Sequence, residues 1–338
     1  MARIHLGSTG IGVEQNGFGA LPIQRVSRQE AVHLLRKAFD GGMNFFDTAR
    51  GYTDSEEKLG AAFAGMRDRV VIATKTGARD AATFREHLET SLRLLGTDYI
   101  DLYQFHNLPV CPRPGDGSGL YEAMLEARDK GMIRFIGITN HRQDVAAEAV
   151  ESGLYATLQF PMSYLSTDAE IALAQRCREK GMGFIAMKAL SGGLITQARA
   201  ACAWLTQFPH VVPIWGIQRE RELDEFLACI RETPQLDDAL MTAIEADRAA
   251  LQGDFCRGCG YCMPCPQGIQ ISMCARATLL LRRAPTGILL GESGRAMMRQ
   301  VEQCTRCGLC AAKCPYGLDT PALLQRNYQD FLAMSAGV

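Results

Sequence analysis

Hydrophobic and polar positions follow two periods along the chain, and their alternation predicts the fold of its first two thirds. Short apolar runs rich in Val, Ile and Phe indicate strands buried on both faces. Between them lie amphipathic helical stretches such as residues 28–42, which end on a glycine pair suited to a helix C-cap. We predict eight strands, each followed by a helix, at residues 18–23, 44–49, 70–75, 100–106, 133–140, 156–160, 183–188 and 211–216.

Eight strand–helix repeats favour a (β/α)8 TIM barrel over an open doubly wound sheet. An open sheet usually carries a Gly-rich phosphate turn after its first strand, and residues 18–25 have none. The preceding residues 3–17 predict a short hairpin that caps the N-terminal end of the barrel. One more amphipathic helix is predicted for residues 236–251, so we place the barrel domain at 1–235 and a second domain at 236–338.

Composition narrows the class of protein. The chain has 338 residues and a formal net charge of −1, and it lacks a Lys/Arg block, which argues against a nucleic-acid partner. No apolar run approaches the roughly 18 residues that span a bilayer, and the N-terminus has no apolar signal segment. We therefore expect a cytoplasmic protein with a small-molecule substrate and no membrane partner.

Cysteine usage divides the chain. Of thirteen cysteines, nine lie between Cys256 and Cys314. In a reducing cytoplasm, clustered cysteines are more often metal ligands than disulfides. The first cysteine run is Cys256, Cys259, Cys262 and Cys265, and the second cysteine run is Cys304, Cys307, Cys310 and Cys314.

The spacing of the two runs favours two [4Fe-4S] clusters in a small, mainly α-helical, ferredoxin-like domain. The second run matches the ferredoxin pattern C-x2-C-x2-C-x3-C-P, and the first is one residue shorter. Zinc, the alternative, usually takes C-x-x-C pairs with a longer spacer. By ferredoxin geometry the fourth cysteine of each run ligates the other cluster, although the shorter spacing before Cys265 leaves this crossing open. Cys274 is expected to be a buried structural thiol.

Ionisable residues stand where predicted barrel strands end, which is where this fold places its catalytic groups. Asp47, Lys75 and His106 lie at the ends of strands two, three and four, and Tyr52 lies in the loop after Asp47. A buried lysine needs a carboxylate partner, and Asp47 is placed to be one. We expect Lys75 to lower the pKa of the Tyr52 phenol and so to prepare it as a general acid or base.

Four segments closely resemble the aldo/keto reductases: NFFDTARGYTDSEEKLG (44–60), IATKT (72–76), DLYQFHN (101–107) and GITN (137–140). The resemblance covers about residues 1–232. It implies hydride transfer between a nicotinamide cofactor, NADP(H) or NAD(H), and a carbonyl or alcohol substrate. It also implies that Tyr52 is the proton donor, that Lys75 and Asp47 tune its pKa, and that His106 orients the carbonyl. The segment CGYCMPCP (259–266) resembles a branch of this family with a ferredoxin-like C-terminal domain.

The same resemblance places Asn140 and Gln159 at the nicotinamide carboxamide. Met187 stands where many members have a tyrosine that stacks on the nicotinamide ring. Glycine permits close backbone approach to a phosphate. Pyrophosphate contacts are therefore expected at Lys188, Gly192 and Gly193.

The residues after the eighth strand depart from the family pattern. Gly216 and Ile217 occupy the place of a Lys-Ser-type run, and Glu222 lies near the position where NADPH-preferring members have an arginine. Arg219 either meets a phosphate or begins a solvated helix. The choice between NADP(H), NAD(H) and no nicotinamide cofactor is therefore open.

Three hypotheses connect the two domains. A hydride carries two electrons and a cubane takes one, so direct exchange needs an intermediary, commonly a flavin, and the sequence has no flavin motif. The first hypothesis is a reductase whose clusters are structural or sensory. The second is an enzyme that passes electrons through its clusters to a ferredoxin-like redox partner, and the third is an electron carrier or interaction module with an inactive barrel. The complete set of Asp47, Tyr52, Lys75 and His106, called the tetrad below, favours the first.

Overall fold

The computed structural model describes residues 3–251, 256–278, 281 and 287–335. The chain divides into two compact units. The first unit comprises Met1–Leu190 and Gln197–Leu240, and the second comprises Ser191–Thr196 and Met241–Val338. The division at residue 240 lies five residues beyond the predicted boundary, and the short segment 191–196 groups with the cysteine-rich unit.

The first unit is a closed barrel of eight parallel strands. Strands β3 to β10 follow one another around the barrel in chain order, and β10 pairs with β3 to close it. These strands are β3 (Gly17–Gly19), β4 (Phe45–Asp47), β5 (Val71–Thr76), β6 (Ile100–His106), β7 (Ile133–Thr139), β8 (Thr157–Pro161), β9 (Gly183–Met187) and β10 (Val211–Gly216).

Helices follow the strands and carry the end signals that the sequence predicts. Ser27 caps the first helix, because its hydroxyl accepts a hydrogen bond from the Glu30 N–H at 3.2 Å. The Glu30 carboxylate accepts from the Ser27 N–H in turn, which completes a capping box. The helices of this unit are α1 (Arg28–Asp40), α2 (Ser55–Phe63), α3 (Ala81–Leu95), α4 (Leu120–Asp129), α5 (Gln143–Ser152), α6 (Asp168–Glu179), α7 (Ala198–Leu205) and α8 (Glu220–Arg231).

A hairpin of β1 (Arg3–His5) and β2 (Gly12–Glu14) precedes the barrel. Its turn packs so closely on the start of β9 that a Cβ on Gly7 would lie 2.3 Å from the Gly183 nitrogen. Leu6, Ile11 and Val13 join the apolar side chains of the strands in one buried cluster. The hairpin therefore covers the end of the barrel where the strands begin, as predicted.

The TIM-barrel prediction is confirmed, and each predicted strand overlaps an observed one. The largest difference is at residues 18–23, where β3 ends at Gly19 and a 3-10 helix, Pro22–Arg25, follows. Pro22 is the first residue of this 3-10 helix, a position where its missing N–H breaks no helix hydrogen bond.

Strand register brings the predicted site residues into rows at the C-terminal end of the barrel. Lys75 pairs with Gln104, His106 pairs with Thr139, and Thr139 pairs with Gln159. Since side chains alternate along each strand, residues two apart on one strand share a face.

The second unit is helical in the residues described. Helix α9 (Asp238–Leu251) crosses the division between the units. The sequence of residues 271–300 predicts a helix, a turn and a second helix. The turn, and most of the segment LLLRR (279–283), lie outside the described residues. The other helices are α10 (Ile271–Cys274), α11 (Gly287–Leu290), α12 (Glu292–Arg299), α13 (Leu309–Ala312) and α14 (Thr320–Ser335).

The two cysteine runs repeat one backbone motif. In each run, the residues on both sides of the second cysteine have positive φ: Gly258 and Gly260 (69° and 83°), and Arg306 and Gly308 (53° and 75°). After the fourth cysteine of each run the chain makes the same turn. Gly268 donates to the Cys265 carbonyl at 2.9 Å, and Gly317 donates to the Cys314 carbonyl at 3.2 Å.

Candidate functional site

The barrel brings the predicted tetrad together at the ends of neighbouring strands. Asp47 is the last residue of β4, Lys75 lies in β5, and His106 is the last residue of β6. Tyr52 lies in the loop between β4 and α2, where its N–H donates to the Ala49 carbonyl at 2.9 Å. The strand order β4–β5–β6 therefore places these side chains side by side.

Lys75 and Asp47 form a buried ion pair. Lys75 Nζ donates to Asp47 Oδ1 at 2.7 Å and to the Thr48 carbonyl at 2.6 Å. The two residues are only 1% and 2% exposed. Burial raises the pKa of Asp47, while the Lys75 ammonium opposes that shift by favouring the carboxylate. The lysine is therefore held in one position by an acceptor on each side.

Tyr52 lies between Lys75 and His106. Lys75 Nζ is 5.3 Å from the centre of the Tyr52 ring, and the Tyr52 and His106 rings meet edge to face with centres 5.7 Å apart. Burial raises the pKa of Tyr52, Lys75 lowers it and Asp47 raises it, and the net direction is upward. Lys75 lowers this pKa, as expected, although the net shift is upward. Burial destabilises the phenolate by more than the Lys75 ammonium stabilises it.

His106 is a neutral imidazole in this environment. Burial and the Lys75 charge together lower its pKa to about 3. A neutral imidazole carries one N–H donor and one acceptor nitrogen. His106 can therefore donate a hydrogen bond to a substrate oxygen at ordinary pH.

The two carboxamides expected at the nicotinamide are engaged within the protein. Asn140 donates to the Leu108 carbonyl and accepts from the Arg142 N–H, both at 2.8 Å. Gln159 donates to Asp47 Oδ1 at 3.3 Å and accepts from Gln104 Nε2 at 2.9 Å. Sequence reasoning missed Gln104, although its place two residues before His106 on the same strand face could have indicated it.

Met187 and Lys188 lie at the end of β9, and the glycines expected to act with them belong to the other unit. Met187 is 9% exposed, and its sulfur accepts from the Thr139 hydroxyl at 3.8 Å. Lys188 follows with φ of 54°. Gly192 and Gly193, with φ of 70° and 95°, fall in the segment that groups with the second unit.

A carboxylate caps the N-terminus of α8. Glu222 accepts from the backbone N–H of Gln218 at 2.9 Å and of Arg219 at 3.0 Å. The Arg219 side chain is 59% exposed and lies 4.0 Å from the other Glu222 oxygen. Ile217 is fully buried, so it offers a ligand only its backbone, whereas Gly216 is exposed.

Backbone strain marks the same end of the barrel. Non-glycine residues rarely take positive φ, and each instance costs about 1–3 kcal/mol that the surrounding structure must offset. Three such residues are Thr53, Asn107 and Lys188, with φ of 37°, 55° and 54°. Each directly follows a predicted site residue, namely Tyr52, His106 and Met187.

In the second unit, one pocket collects the first three cysteines of the first run and the last cysteine of the second run. Cys256, Cys259, Cys262 and Cys314 line it together with apolar side chains. Burial raises the pKa of Cys259, and the neighbouring Cys256 and Cys314 thiols raise it further. The grouping is the crossed one that ferredoxin geometry implies.

The first three cysteines of the second run form another group. Burial raises the pKa of Cys310, and Cys304 and Cys307 add to that shift. Cys307 is exposed, whereas every cysteine of the first run is buried or half-buried. Cys265 packs against the apolar core of this unit, which cysteines of both runs also contact.

Within the described residues, no three His, Cys, Asp or Glu side chains are close enough to hold one metal ion. Cys274 is fully buried and hydrogen-bonded to the Met297 carbonyl at 3.7 Å, as expected of a structural thiol.

Comparison with known families decides the assignment. The model of the aldo/keto reductase family matches residues 4–203. The chain belongs to the aldo/keto reductase family. A 4Fe-4S dicluster domain matches residues 255–319, so this aldo/keto reductase carries a C-terminal iron–sulfur domain, and the predicted branch is confirmed.

Curated relatives resemble the barrel part of this aldo/keto reductase. L-galactose dehydrogenase of Arabidopsis thaliana is 30% identical over 211 residues, which cover 57% of this chain and 66% of the relative. NADH-specific methylglyoxal reductase of Escherichia coli is 30% identical over 226 residues, covering 58% of this chain and 69% of the relative. The chain thus spans about two thirds of the length of the curated relatives it matches.

Solved structures show the same fold. An aldo-keto reductase from Klebsiella pneumoniae, determined in complex with NADPH, superposes with a TM-score of 0.62. It is 24% identical and covers 73% of this chain and 95% of its own. In the described part of this family member, no helix is long and apolar enough to cross a membrane.

Proposed function

We propose that this protein is a nicotinamide-dependent oxidoreductase that interconverts a carbonyl and an alcohol, with Tyr52 as general acid and base. The buried Lys75–Asp47 pair beside Tyr52 carries this proposal. A lysine, a carboxylate and a neutral histidine around one phenol form a set suited to moving a proton to a carbonyl oxygen. An inactive barrel gives no reason to maintain this costly buried pair.

Each member of the tetrad has a distinct role in the proposed reduction. A bound reduced nicotinamide would supply the hydride that reaches the carbonyl carbon. Tyr52 gives the proton from its hydroxyl to the carbonyl oxygen as negative charge develops there. Lys75 stabilises the resulting phenolate, and neutral His106 holds the substrate oxygen by donating a hydrogen bond.

Asp47 and Gln159 act behind the reacting atoms. Asp47 holds Lys75 in position, because its Oδ1 accepts from Nζ at 2.7 Å. Gln159 Nε2 donates to the same oxygen at 3.3 Å and orients the carboxylate. In alcohol oxidation the same groups work in reverse, with Tyr52 accepting the proton.

The cap on α8 favours NAD(H) over NADP(H). In NADPH-preferring members an arginine near position 222 meets the 2′-phosphate, and in this chain Glu222 already accepts from two backbone N–H groups there. A phosphate would meet a carboxylate of the same sign and would have to displace it from those donors. The exposed Arg219 guanidinium only partly offsets that repulsion.

We also propose that the C-terminal domain holds two [4Fe-4S] clusters. One is bound by Cys256, Cys259, Cys262 and Cys314, which line a common pocket. The residues fit such a group because positive-φ positions turn the chain around the second cysteine of each run. The other cluster is assigned to Cys304, Cys307, Cys310 and Cys265.

A second candidate function is electron transfer from the barrel substrate, through the clusters, to a ferredoxin-like redox partner. The exposure of Cys307 favours it, since a cluster near the surface exchanges electrons with a partner more readily than a buried one. Mixing reduced nicotinamide with oxidised protein under argon separates the two functions. Cluster bleaching at the rate of turnover supports electron transfer, and unchanged cluster absorbance supports a reductase with structural or sensory clusters.

The experiment that tests the primary proposal combines iron analysis with activity. Protein purified without oxygen is expected to contain close to eight iron atoms and to oxidise NADH or NADPH when a carbonyl compound is added. A panel of small aldehydes and ketones serves as substrate, and buffer without carbonyl serves as control. Full iron content with no carbonyl-dependent oxidation of either coenzyme would contradict the proposed activity but not the proposed clusters.

A further inference from the structure

One arginine of the second unit lies flat against the first cysteine run. Arg276 packs over Gly258, the residue before Cys259. A Cβ built on Gly258 would lie 3.0 Å from the guanidinium carbon and 3.1 and 3.3 Å from its two terminal nitrogens. Because these distances are nearly equal, the face of the guanidinium covers this glycine, and a side chain at position 258 would displace it.

A second glycine holds the same guanidinium. A Cβ built on Gly192 would lie 3.3 Å from Arg276 Nη1, and Arg276 Nε donates to the Ser272 carbonyl at 3.1 Å. Gly192 and Gly258 both have positive φ, of 70° and 69°. The planar group is therefore confined by two backbone segments and anchored by one hydrogen bond.

Arg276 is also electrostatically connected to two proposed cluster ligands. Burial lowers the pKa of its guanidinium, and Cys256 and Cys259, which attract a cation in their thiolate form, oppose that shift. A charge interaction of this kind is stronger in a partly desolvated site than in water. The arginine thus provides a positive charge close to the first cysteine run.

We propose that the positive charge of Arg276 raises the reduction potential of the cluster assigned to Cys256, Cys259, Cys262 and Cys314. This inference rests on the proposed clusters. Each electron added to a cluster makes its net charge more negative, so a fixed cation beside it stabilises the reduced form and raises the potential. Net charge and solvent exposure are recognised determinants of cluster potential.

The second cysteine run provides a built-in contrast. Arg306 occupies the position in that run that Gly258 occupies in the first, directly before the second cysteine. Arg306 is exposed, as is Cys307 beside it. Water and salt screen an exposed charge, so Arg306 affects its cluster far less than Arg276 affects the other.

A redox titration of the anaerobic full-length protein, followed by EPR, tests the proposal. The wild-type titration and its iron content first establish whether both clusters are present, so failure of the cluster assignment is seen separately. In Arg276→Gln, one of the two reduction waves is expected to move to more negative potential, while the other wave and the iron content stay unchanged. Arg306→Gln, which removes the same charge from the exposed run, is expected to move neither wave appreciably.

Arg276→Lys separates charge from shape. It keeps the positive charge without the planar group, so its potential is expected to lie near the wild-type value. If Arg276→Gln does not assemble its cluster, Arg276→Met replaces it in the same titration, with the same expected fall in potential. An unmoved wave in a fully loaded Arg276→Gln protein would overturn the proposal, as would a fall in Arg276→Lys as large as in the glutamine variant, or an equal shift from Arg306→Gln.

Discussion

Lys75 Nζ lies 2.7 Å from Asp47 Oδ1, and both side chains are at most 3% exposed. A buried pair of this kind is costly to desolvate and is strongly destabilising to break. Lys75 Nζ also lies 5.3 Å from the centre of the Tyr52 ring. The barrel therefore maintains a buried cation at the one tyrosine that the family resemblance makes catalytic.

Removing the lysine should affect both stability and turnover. Lys75→Met leaves the Asp47 carboxylate buried without its cation, which typically costs about 3–5 kcal/mol in the free energy of unfolding. Urea denaturation followed by circular dichroism measures this change, and a coenzyme-oxidation assay should show loss of turnover. Lys130→Met is the matched control, since Lys130 and its partner Glu126 are exposed and the pair should matter little. Equal destabilisation by the two substitutions would contradict the buried-pair account.

His106 should remain neutral across the physiological pH range. Its pKa is about 3 in the folded protein, against an ordinary value of 6.5. The imidazole resonance that disappears in His106→Asn should therefore not shift in NMR spectra between pH 5 and 8, whereas free histidine in the same buffer titrates. Because the unfolded chain takes up this proton near pH 6.5 and the folded chain does not, stability is full above that pH and falls as the pH drops toward 3. A midpoint near 6.5 in the folded protein would contradict the account.

The crossed cluster assignment predicts which cysteines act together. Cys314→Ser should weaken the same EPR signal as Cys256→Ser, because both residues line one pocket. Cys304→Ser should weaken the other signal. Cys274→Ser, which changes a buried thiol bound to a backbone carbonyl, should keep the full iron content. If Cys314→Ser instead resembles Cys304→Ser, the runs do not cross.

Coenzyme preference should depend on Glu222. Glu222→Gln removes the carboxylate charge from the N-terminus of α8, so the Kd for NADP(H) should fall relative to that for NAD(H) by roughly tenfold, about 1.4 kcal/mol. Fluorescence titration with both coenzymes measures the ratio. Glu225→Gln, on the exposed part of the same helix, is the control and should leave the ratio unchanged. An unchanged Kd ratio in Glu222→Gln would show that this carboxylate does not determine coenzyme preference.

Most of the fold and of the candidate site could be predicted from short sequence patterns. Strands β6 and β10 begin and end at the predicted residues, because continuous apolar runs bounded by polar or glycine residues have few alternatives. The tetrad was also accessible from the sequence, since strand ends in a barrel meet at one end. Cysteine spacing likewise encodes cluster geometry directly.

Properties that depend on tertiary packing could not be predicted from the sequence. The direction of the Tyr52 pKa follows from the balance of burial against Lys75, and burial is known only once the loops are in place. Arg276 meets Gly192 and Gly258 across 84 and 18 positions of sequence, and neither spacing indicates the contact. Glu222 departs visibly from the family pattern, but its role as a helix cap appears only in the structure.

The central claim is that Tyr52 transfers the proton in a nicotinamide-dependent carbonyl reduction. Its most direct test is a single-turnover measurement, under argon, of reduced-nicotinamide oxidation by wild type and Tyr52→Phe in the presence of a carbonyl substrate. The account predicts that the phenylalanine variant is slower by at least about 100-fold while its iron content is unchanged. A Tyr52→Phe protein that oxidises the coenzyme at the wild-type rate would contradict it.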